Sequence, residues 1–440
     1  MHTGPPQLIL SAERELYNGI VLHNWADTVR CTPKVLHRIP IDLPPKIRVM
    51  GAGHSFNALV CSNETVLILK GCQMTLEEDI LLAQASCTIE EAQTFLGPKH
   101  RMLHGYGSIQ SQTLAGGLMT SLHGMHHKTF GSHVVSLTAI LANSTTITIT
   151  GEKLKYWLSS MGMLGIVTHV SIKTHPFTSM LCKKQWMPID EAINTFLQSD
   201  HLVSIQGINQ YNHFFVKECS NESTAQFSGI QSTSIWIRFA FDNILQPLFI
   251  LSNALEFLYE TQLAHANSIE RIDTVNAWME FPGFVPWRNS EYSIPIQHCN
   301  TTIRKIIDTH QLTHLLVRRL HAEDNLLAFA PNDSCIIDFN AIYADIYQEI
   351  EAIVHAHGGH THWGKYFATP FTIPSEFLQY RKQIDPTNKF MNTYTTALIN
   401  KQQFEYDVPI STGGWVFTVV LASITTILYT IISCINKCKR

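Results

Sequence analysis

Residues 48–57 read Arg48-Val49-Met50-Gly51-Ala52-Gly53-His54-Ser55-Phe56-Asn57, with two glycines set directly ahead of a histidine and a serine. The run at 47–50 is strand-like, so the glycines fall where a strand turns. Alternate glycines let consecutive backbone N–H groups turn towards one centre, a nest suited to a pyrophosphate. A Rossmann fingerprint needs a third glycine at position 56, which is Phe56, so this is a different cradle. His54 has two readings: a turn residue bonding its own loop, or a neutral imidazole placed as a nucleophile.

A second string runs Gly105-Tyr106-Gly107-Ser108-Ile109-Gln110-Ser111-Gln112-Thr113-Leu114-Ala115-Gly116-Gly117-Leu118-Met119-Thr120-Ser121-Leu122-His123-Gly124. Small residues mixed with hydroxyls and amides suit close passage along a flat, phosphate-bearing ligand, or simply a glycine-rich loop between strands. Further on, Gly358-Gly359-His360-Thr361-His362-Trp363-Gly364-Lys365 packs two histidines, a tryptophan and a lysine together. Such groups can orient a hydroxyl, take its proton or stabilise negative charge; the plain alternative is a solvated loop.

Together these stretches resemble the vanillyl-alcohol-oxidase superfamily of FAD-linked oxidases, particularly its aldonolactone and alditol oxidases. GAGHSFN at 51–57 looks like the flavin-attachment loop of that branch, where the histidine at the position of His54 carries the flavin. The resemblance therefore implies covalent FAD through His54, held also by Gly51, Ala52, Gly53, Ser55 and Phe56. Gly107, Ser108, Gln112, Thr113, Gly116, Gly117 and Thr120, followed by His123-Gly124, match the second FAD-binding stretch, and Gly165-Ile166 the closing motif at the adenosine half. Met125-His126 departs from the family, which usually has a small residue and glycine there; this bulk is expected to alter the pocket or oxygen access.

Residues 358–365 are similar to the family's Gly-Gly-x-Pro-His-Trp-Gly-Lys signature, with Thr361 replacing the proline, and 385–392 to its Asp-Pro-x-x-x-Phe-x-Asn. By that match His362 and Lys365 belong beside the flavin, and Lys389 is a candidate for the substrate pocket. His23-Asn24-Trp25-Ala26 resembles the family's start, so the likeness runs from about residue 20 to 400. Glu291-Tyr292-Ser293-Ile294-Pro295 looks like its Glu-Tyr-x-x-Pro stretch. Arg318 matches the arginine of a Glu-x-Arg pair that binds substrate in many aldonolactone oxidases, but the glutamate position is Leu316. Loss of that carboxylate is expected to weaken or redirect polyol recognition.

Strand-like runs at 47–50, 65–69, 81–85, 134–141, 145–150 and 166–173, a turn at Asn143-Ser144 and helical patterns at 88–95 and 152–160 predict an α+β unit of small mixed sheets. Longer strands and amphipathic helices follow, at 189–198, 246–264 and 303–311. The expected organisation is an FAD-binding domain at 1–177, a substrate or cap domain with an antiparallel sheet and helices at 178–354, a segment returning to the flavin site at 355–400, and a linker at 401–414. Residues 415–435, WVFTVVLASITTILYTIISCI, hold 21 uncharged residues, enough as a helix to cross a hydrocarbon core of roughly 30 Å. A single-pass C-terminal anchor is expected, in a membrane such as the endoplasmic reticulum.

Topology stays open. Lys437, Lys439 and Arg440 follow the span while Glu405 and Asp407 precede it, which puts the tail in the cytosol; sequons at Asn63, Asn143, Asn221, Asn300 and Asn332 lean the same way. The N-terminus, without a basic start or long apolar run, argues the opposite. A net charge of −4, from 31 basic and 35 acidic residues, gives no field that would draw in nucleic acid. Ten cysteines without a Cys-x-x-Cys or a spacing suited to metal argue against zinc or iron–sulfur sites. The expected partner is a sugar lactone or polyol, with oxygen as electron acceptor. Three functions remain in play: an aldono-1,4-lactone oxidase making ascorbate or an analogue, an alditol or other carbohydrate oxidase, and an inactive membrane-anchored binding protein on the same fold.

Overall fold

Short aliphatic runs between polar turns make the N-terminal sheets. In the computed structural model, which describes residues 21–25, 28–178, 180–207, 213–221, 269–273, 289–310, 312, 314–340, 344–369, 372–402 and 404, they form two main units. Lys34–Leu36, Thr65–Leu67 and Arg48–Val49 make a parallel sheet, with Thr65–Leu67 in the middle. A five-stranded antiparallel sheet has the order Thr146–Thr150, Val134–Ile140, Ile166–Lys173, Ile80–Gln84, Met74–Glu77. Alternation sends Leu81 and Ala83 into the core, where they meet Ile89, Ala92 and Leu96 from one face of the helix Ile89–Leu96. Thr88 and Glu91 close that helix with a reciprocal capping box.

The helix expected at 152–160 is cut to a 3-10 turn and a single turn, Leu154–Trp157. The cause lies outside the segment. Ser159 N and Met161 N donate to the Leu118 and Met119 carbonyls, 2.9 and 3.0 Å away, and both residues adopt left-handed backbone. Bonding to the second glycine string thus replaces the helical ladder.

The second unit is an eight-stranded antiparallel sheet in the order Ile269–Asp273, Met180–Pro188, His213–Asn221, Leu202–Gly207, His314–Leu320, Ser334–Asn340, Ser290–Pro295, His360–Thr361. Leu315, Val317, Ile337, Phe339, Tyr292 and Ile294 point to one face and pack on the helices Ile189–Gln198, Cys299–Thr309 and Ala344–Ala356. The helix expected from 303 begins at Cys299, and that expected at 246–264 lies outside the described residues. The opposite face of the same strands carries Arg318, Asp338 and Glu291, an arrangement that buries charge and demands partners.

The chain then returns. Phe377, Met391, Tyr394 and Leu398, from and beside the helices Ser375–Ile384 and Thr393–Ile399, join the core of the first unit. Arg48 ties this return to the first loop, donating to the carbonyls of Leu59 (2.6 and 2.9 Å), Met161 (2.8 Å) and Phe390 (2.6 Å). Its burial lowers the guanidinium pKa to about 10, so those carbonyls hold a charge that would otherwise be costly inside. Disulfides join Cys31 to Cys61, Cys72 to Cys87, Cys182 to Cys219 and Cys299 to Cys335. Residues 415–435 lie outside the described residues, among which no helix is long and apolar enough to cross a membrane.

Candidate active site

The two glycine strings face each other. Gly53 has a φ of +71°, which lets the loop turn back after Ala52, and a side chain at Gly51 would collide with the Thr113 hydroxyl. Thr113 in turn caps the short helix Leu114–Leu118 through the Gly116 N–H. His54 spans the gap: its Nε2 lies 2.9 Å from Ser111 Oγ, and its ring is 5.9 Å from Trp25. His54 Nδ1 and Gln112 Oε1 are buried with no hydrogen-bond partner among the described residues. Burial pulls the His54 pKa down to about 4, so the ring is neutral, and in the tautomer that donates Nε2–H to Ser111 Oγ the Nδ1 lone pair is free to act as a nucleophile. Orphaned polar atoms between close glycine backbones fit a flat, phosphate-bearing cofactor, with Gly51, Gly53, Thr113 and Gly116 as its cradle. Gly165 closes the unit tightly, since a Cβ there would lie 2.8 Å from the Ile140 carbonyl.

The charged sheet face comes up against this loop. Phe56 N donates to the Gly364 carbonyl at 2.8 Å, and Asn57 Nδ2 to the carbonyls of Trp363 and Lys365 at 2.7 and 2.9 Å. Lys365 Nζ therefore sits 5.3 Å from the Phe56 ring, donates to Asn289 Oδ1, and reaches Asp338 Oδ2 at 3.1 Å and Glu291 Oε2 at 3.6 Å. Glu291 is the centre of the group. Its Oε1 accepts from Arg318 and lies 2.9 Å from His123 Nε2. Burial by itself would raise the Glu291 pKa, but His123, Lys365 and Arg318 outweigh it and hold the carboxyl well below its usual range. His362 lies next to it, its ring 5.4 Å from His123 and 5.0 Å from Phe329, with burial pulling its pKa down to about 3.

Comparison with known proteins meets this geometry from both ends. Residues 44–150 match the family model described as FAD binding domain, and residues 217–398 the one described as D-arabinono-1,4-lactone oxidase. The L-gulono-1,4-lactone dehydrogenase of Mycobacterium tuberculosis is 21% identical over 395 residues, 80% of this chain and 90% of that protein. The L-gulonolactone oxidase of Scyliorhinus torazame is 21% identical over 438 residues, 86% of this chain and 97% of its own. The chain belongs to the aldonolactone oxidase branch of the vanillyl-alcohol-oxidase superfamily. It is an FAD-binding oxidoreductase that acts on CH–OH groups. Among solved structures a solvent-stable cholesterol oxidase shares the fold, with a TM-score of 0.69 at 13% identity over 86% of this chain and 97% of that one.

Within this aldonolactone oxidase fold, His123, Arg318, His362 and Lys365 come together around Glu291, while His54 stays on the loop whose Phe56 and Asn57 meet the turn at 363–365. Lys389 does not join them: its Nζ donates to the Leu43 carbonyl at 3.1 Å and its backbone N–H to Asp385 at 2.8 Å, which turns it towards the parallel sheet. His362 is present but tied, because its Nδ1 accepts from the Gly364 N–H at 3.1 Å. A ring whose acceptor nitrogen is already engaged orients neighbours better than it takes a proton. His123, expected at the cofactor, faces Glu291 and, through Nδ1 at 3.0 Å, the Ser121 carbonyl. His123, Glu291 and His362 each bring a ligand atom within 4.8 Å of the others, as metal ligands would. Arg318 and Lys365 on the same carboxylate make it an ion-paired network and oppose a second cation there.

Met125-His126 directs its bulk away from the loop carrying His54. Met125 packs with Met180 and the Cys182–Cys219 bridge, and the His126 ring stacks on His104 at 4.0 Å. No motif in the sequence gives a role to Ser111, Asn289, Asp338 or Glu291. The signal for Glu291 was its setting: a carboxylate in Ser290–Pro295, every residue of which is buried, needs charged partners.

Proposed function

We propose that this enzyme oxidises the secondary alcohol of an aldono-1,4-lactone to ascorbate or an ascorbate analogue, with its FAD joined covalently to His54 and oxygen as the electron acceptor. The observation that carries the reading is the convergence of Glu291, Arg318 and Lys365 on the loop that bears His54. Bound FAD supplies the two-electron chemistry at the carbon–hydrogen bond. Gly51, Gly53, Thr113 and Gly116 would hold it, and the neutral His54 Nδ1 supports a bond to it. Arg318 and Lys365 supply positive charge beside the place where a substrate hydroxyl would lie, so that its proton leaves at lower cost. Glu291 holds both cations at fixed separation, and His362 fixes the turn beneath them.

The covalent bond is tested by precipitating full-length enzyme with acid. Flavin colour should stay with the pellet, and should move to the supernatant in His54→Ala; colour in the wild-type supernatant would sink the covalent assignment. Oxidation of an open-chain polyol is the second reading, favoured by the apolar Leu316, and identification of products from a lactone and alditol panel separates the two.

The proposed setting is a membrane whose lumen faces the flavin domain, with residues 415–435 as anchor. Every described cysteine is paired, which favours folding in an oxidising compartment, and the sequon residues Asn63, Asn143, Asn300 and Asn332 are exposed. Removal of N-glycans should increase the gel mobility of protein from its native membrane; unchanged mobility together with free, alkylatable thiols in the flavin domain would put that domain in the cytosol.

A further inference from the structure

The polar face of the eight-stranded sheet contains a row that crosses four strands. Gln206 pairs with Leu316, Leu316 with Asp338, and Asp338 with Glu291. Residues directly opposite in antiparallel strands project to the same face, about 5 Å apart, so Leu316, Asp338 and Glu291 stand side by side. The three differ in how they are engaged. Glu291 is closed, with 2% of its side chain exposed and donors on both oxygens. Leu316 is half-buried and offers no polar atom. Asp338 lies between them with 12% of its side chain exposed, and Lys365, beside it, with 20%. Asp338 Oδ1 accepts from Asn289 at 2.6 Å and Oδ2 from Lys365 at 3.1 Å. A carboxylate has about four acceptor sites, so these bonds leave capacity for further donors.

A donor is also left over. Arg318 Nε is buried without a hydrogen-bond partner among the described residues, while another nitrogen of the same guanidinium lies 3.8 Å from Asp338 Oδ2. A carboxylate with spare acceptor capacity and, 3.8 Å away, a guanidinium with an unspent donor match a hydroxyl group, which both donates and accepts.

We propose that Asp338, working with Arg318 and Lys365, is the carboxylate that binds the substrate's hydroxyl groups, and that it does so because the neighbouring position in the row is Leu316. Asp338 is then a specificity-determining residue. The inference rests on the functional reading above, in that the substrate must be a polyhydroxylated lactone or polyol.

Full-length enzyme with its flavin bound is assayed against aldono-1,4-lactones and alditols, as wild type, Asp338→Asn, Asp338→Leu and Leu316→Glu/Asp338→Leu. Asp338→Asn should keep its flavin and raise KM about 10- to 100-fold, the range for a lost bond to a charged group, with kcat changed less. Leu316→Glu should restore kcat/KM at least about 10-fold in the Asp338→Leu background, because the carboxylate moves only one strand along the same row. That rescue would not follow if Asp338 merely held Lys365 in place. The proposal is overturned by an unchanged KM in Asp338→Asn, or by a double variant no better than Asp338→Leu. Should Asp338→Leu fail to fold, the KM of Asp338→Asn decides. A wild type idle on the whole panel would overturn the functional reading itself, and is seen before any variant is compared.

Discussion

The loops of residues 51–57 and 105–124 and the charged face of the eight-stranded sheet meet at one site, yet they are built in opposite ways. The loops work through backbone: glycines allow close approach, and hydroxyls such as those of Thr113 and Thr120 cap or bond their own segment. The sheet face works through side chains drawn from Ser290–Pro295, His314–Leu320, Ser334–Asn340 and the turn at 362–365, joined by Glu291. A loop of the first kind is sensitive to added bulk. A face of the second kind is sensitive to a lost charge, because each ion is held only by its partners.

The largest effect should follow from Glu291→Ala. Removing it leaves the buried Arg318 with only its 3.8 Å approach to Asp338, which Lys365 already engages at 3.1 Å, at a cost of about 3–5 kcal/mol in stability and most of the activity. Urea unfolding of variant and wild type checks this, and a loss under about 1 kcal/mol would break the contrast between the two regions. Next comes Gly51→Ala on the loop side. A single methyl against the Thr113 hydroxyl should cost about 1–3 kcal/mol and lower flavin content per protein. Equal flavin content in Gly51→Ala and wild type would show that the loops do not cradle the cofactor through close approach.

The smallest effect sharpens the contrast through pH. His104 is stacked between His126 and His175, with ring centroids 4.0 and 3.9 Å away, and His175 Nε2 lies 3.0 Å from His133 Nδ1. Burial, and then mutual repulsion, lowers the pKa to about 2 at His104 and about 4 at His126; burial and the charges of His175, Lys128 and Lys173 lower His133 to about 4. His175 is lowered too, by burial and by Lys173 and Arg101 against the opposing Asp79. The unfolded chain takes up these protons first, near pH 6.5, so stability is full above that value and falls as pH drops towards about 4. Thermal unfolding should show Tm falling across this window, by roughly 2–4 °C for each kcal/mol lost, with a shallower fall in His104→Phe. A Tm independent of pH between 6.5 and 4 would contradict the neutral stack.

The same contrast explains what could be read in advance. Gly51, Gly53, His54 and Thr113 stand out in the sequence because each belongs to a short string of unusual composition, just as the hairpin turn at Asn143 and Ser144 and the helix Ile189–Gln198 are marked by their own few residues. Asp338 was not legible: it is an ordinary residue until the register sets it between Leu316 and Glu291. Lys389 was misplaced for the related reason that a motif locates a residue along the chain and not the direction of its side chain, here towards Leu43. The disulfides join cysteines 15 to 37 positions apart, spacings that mean nothing until strands and loops are paired.

The most direct test of the whole account is to mix oxygen-free, full-length enzyme with L-gulono-1,4-lactone or D-arabinono-1,4-lactone and follow the yellow flavin absorbance. The account predicts that at least one lactone bleaches the flavin within the dead time of a turnover assay, that colour returns on admitting air, and that Glu291→Gln slows the bleaching by orders of magnitude. Flavin that stays yellow with every lactone and alditol, in enzyme that carries its full complement, would contradict it.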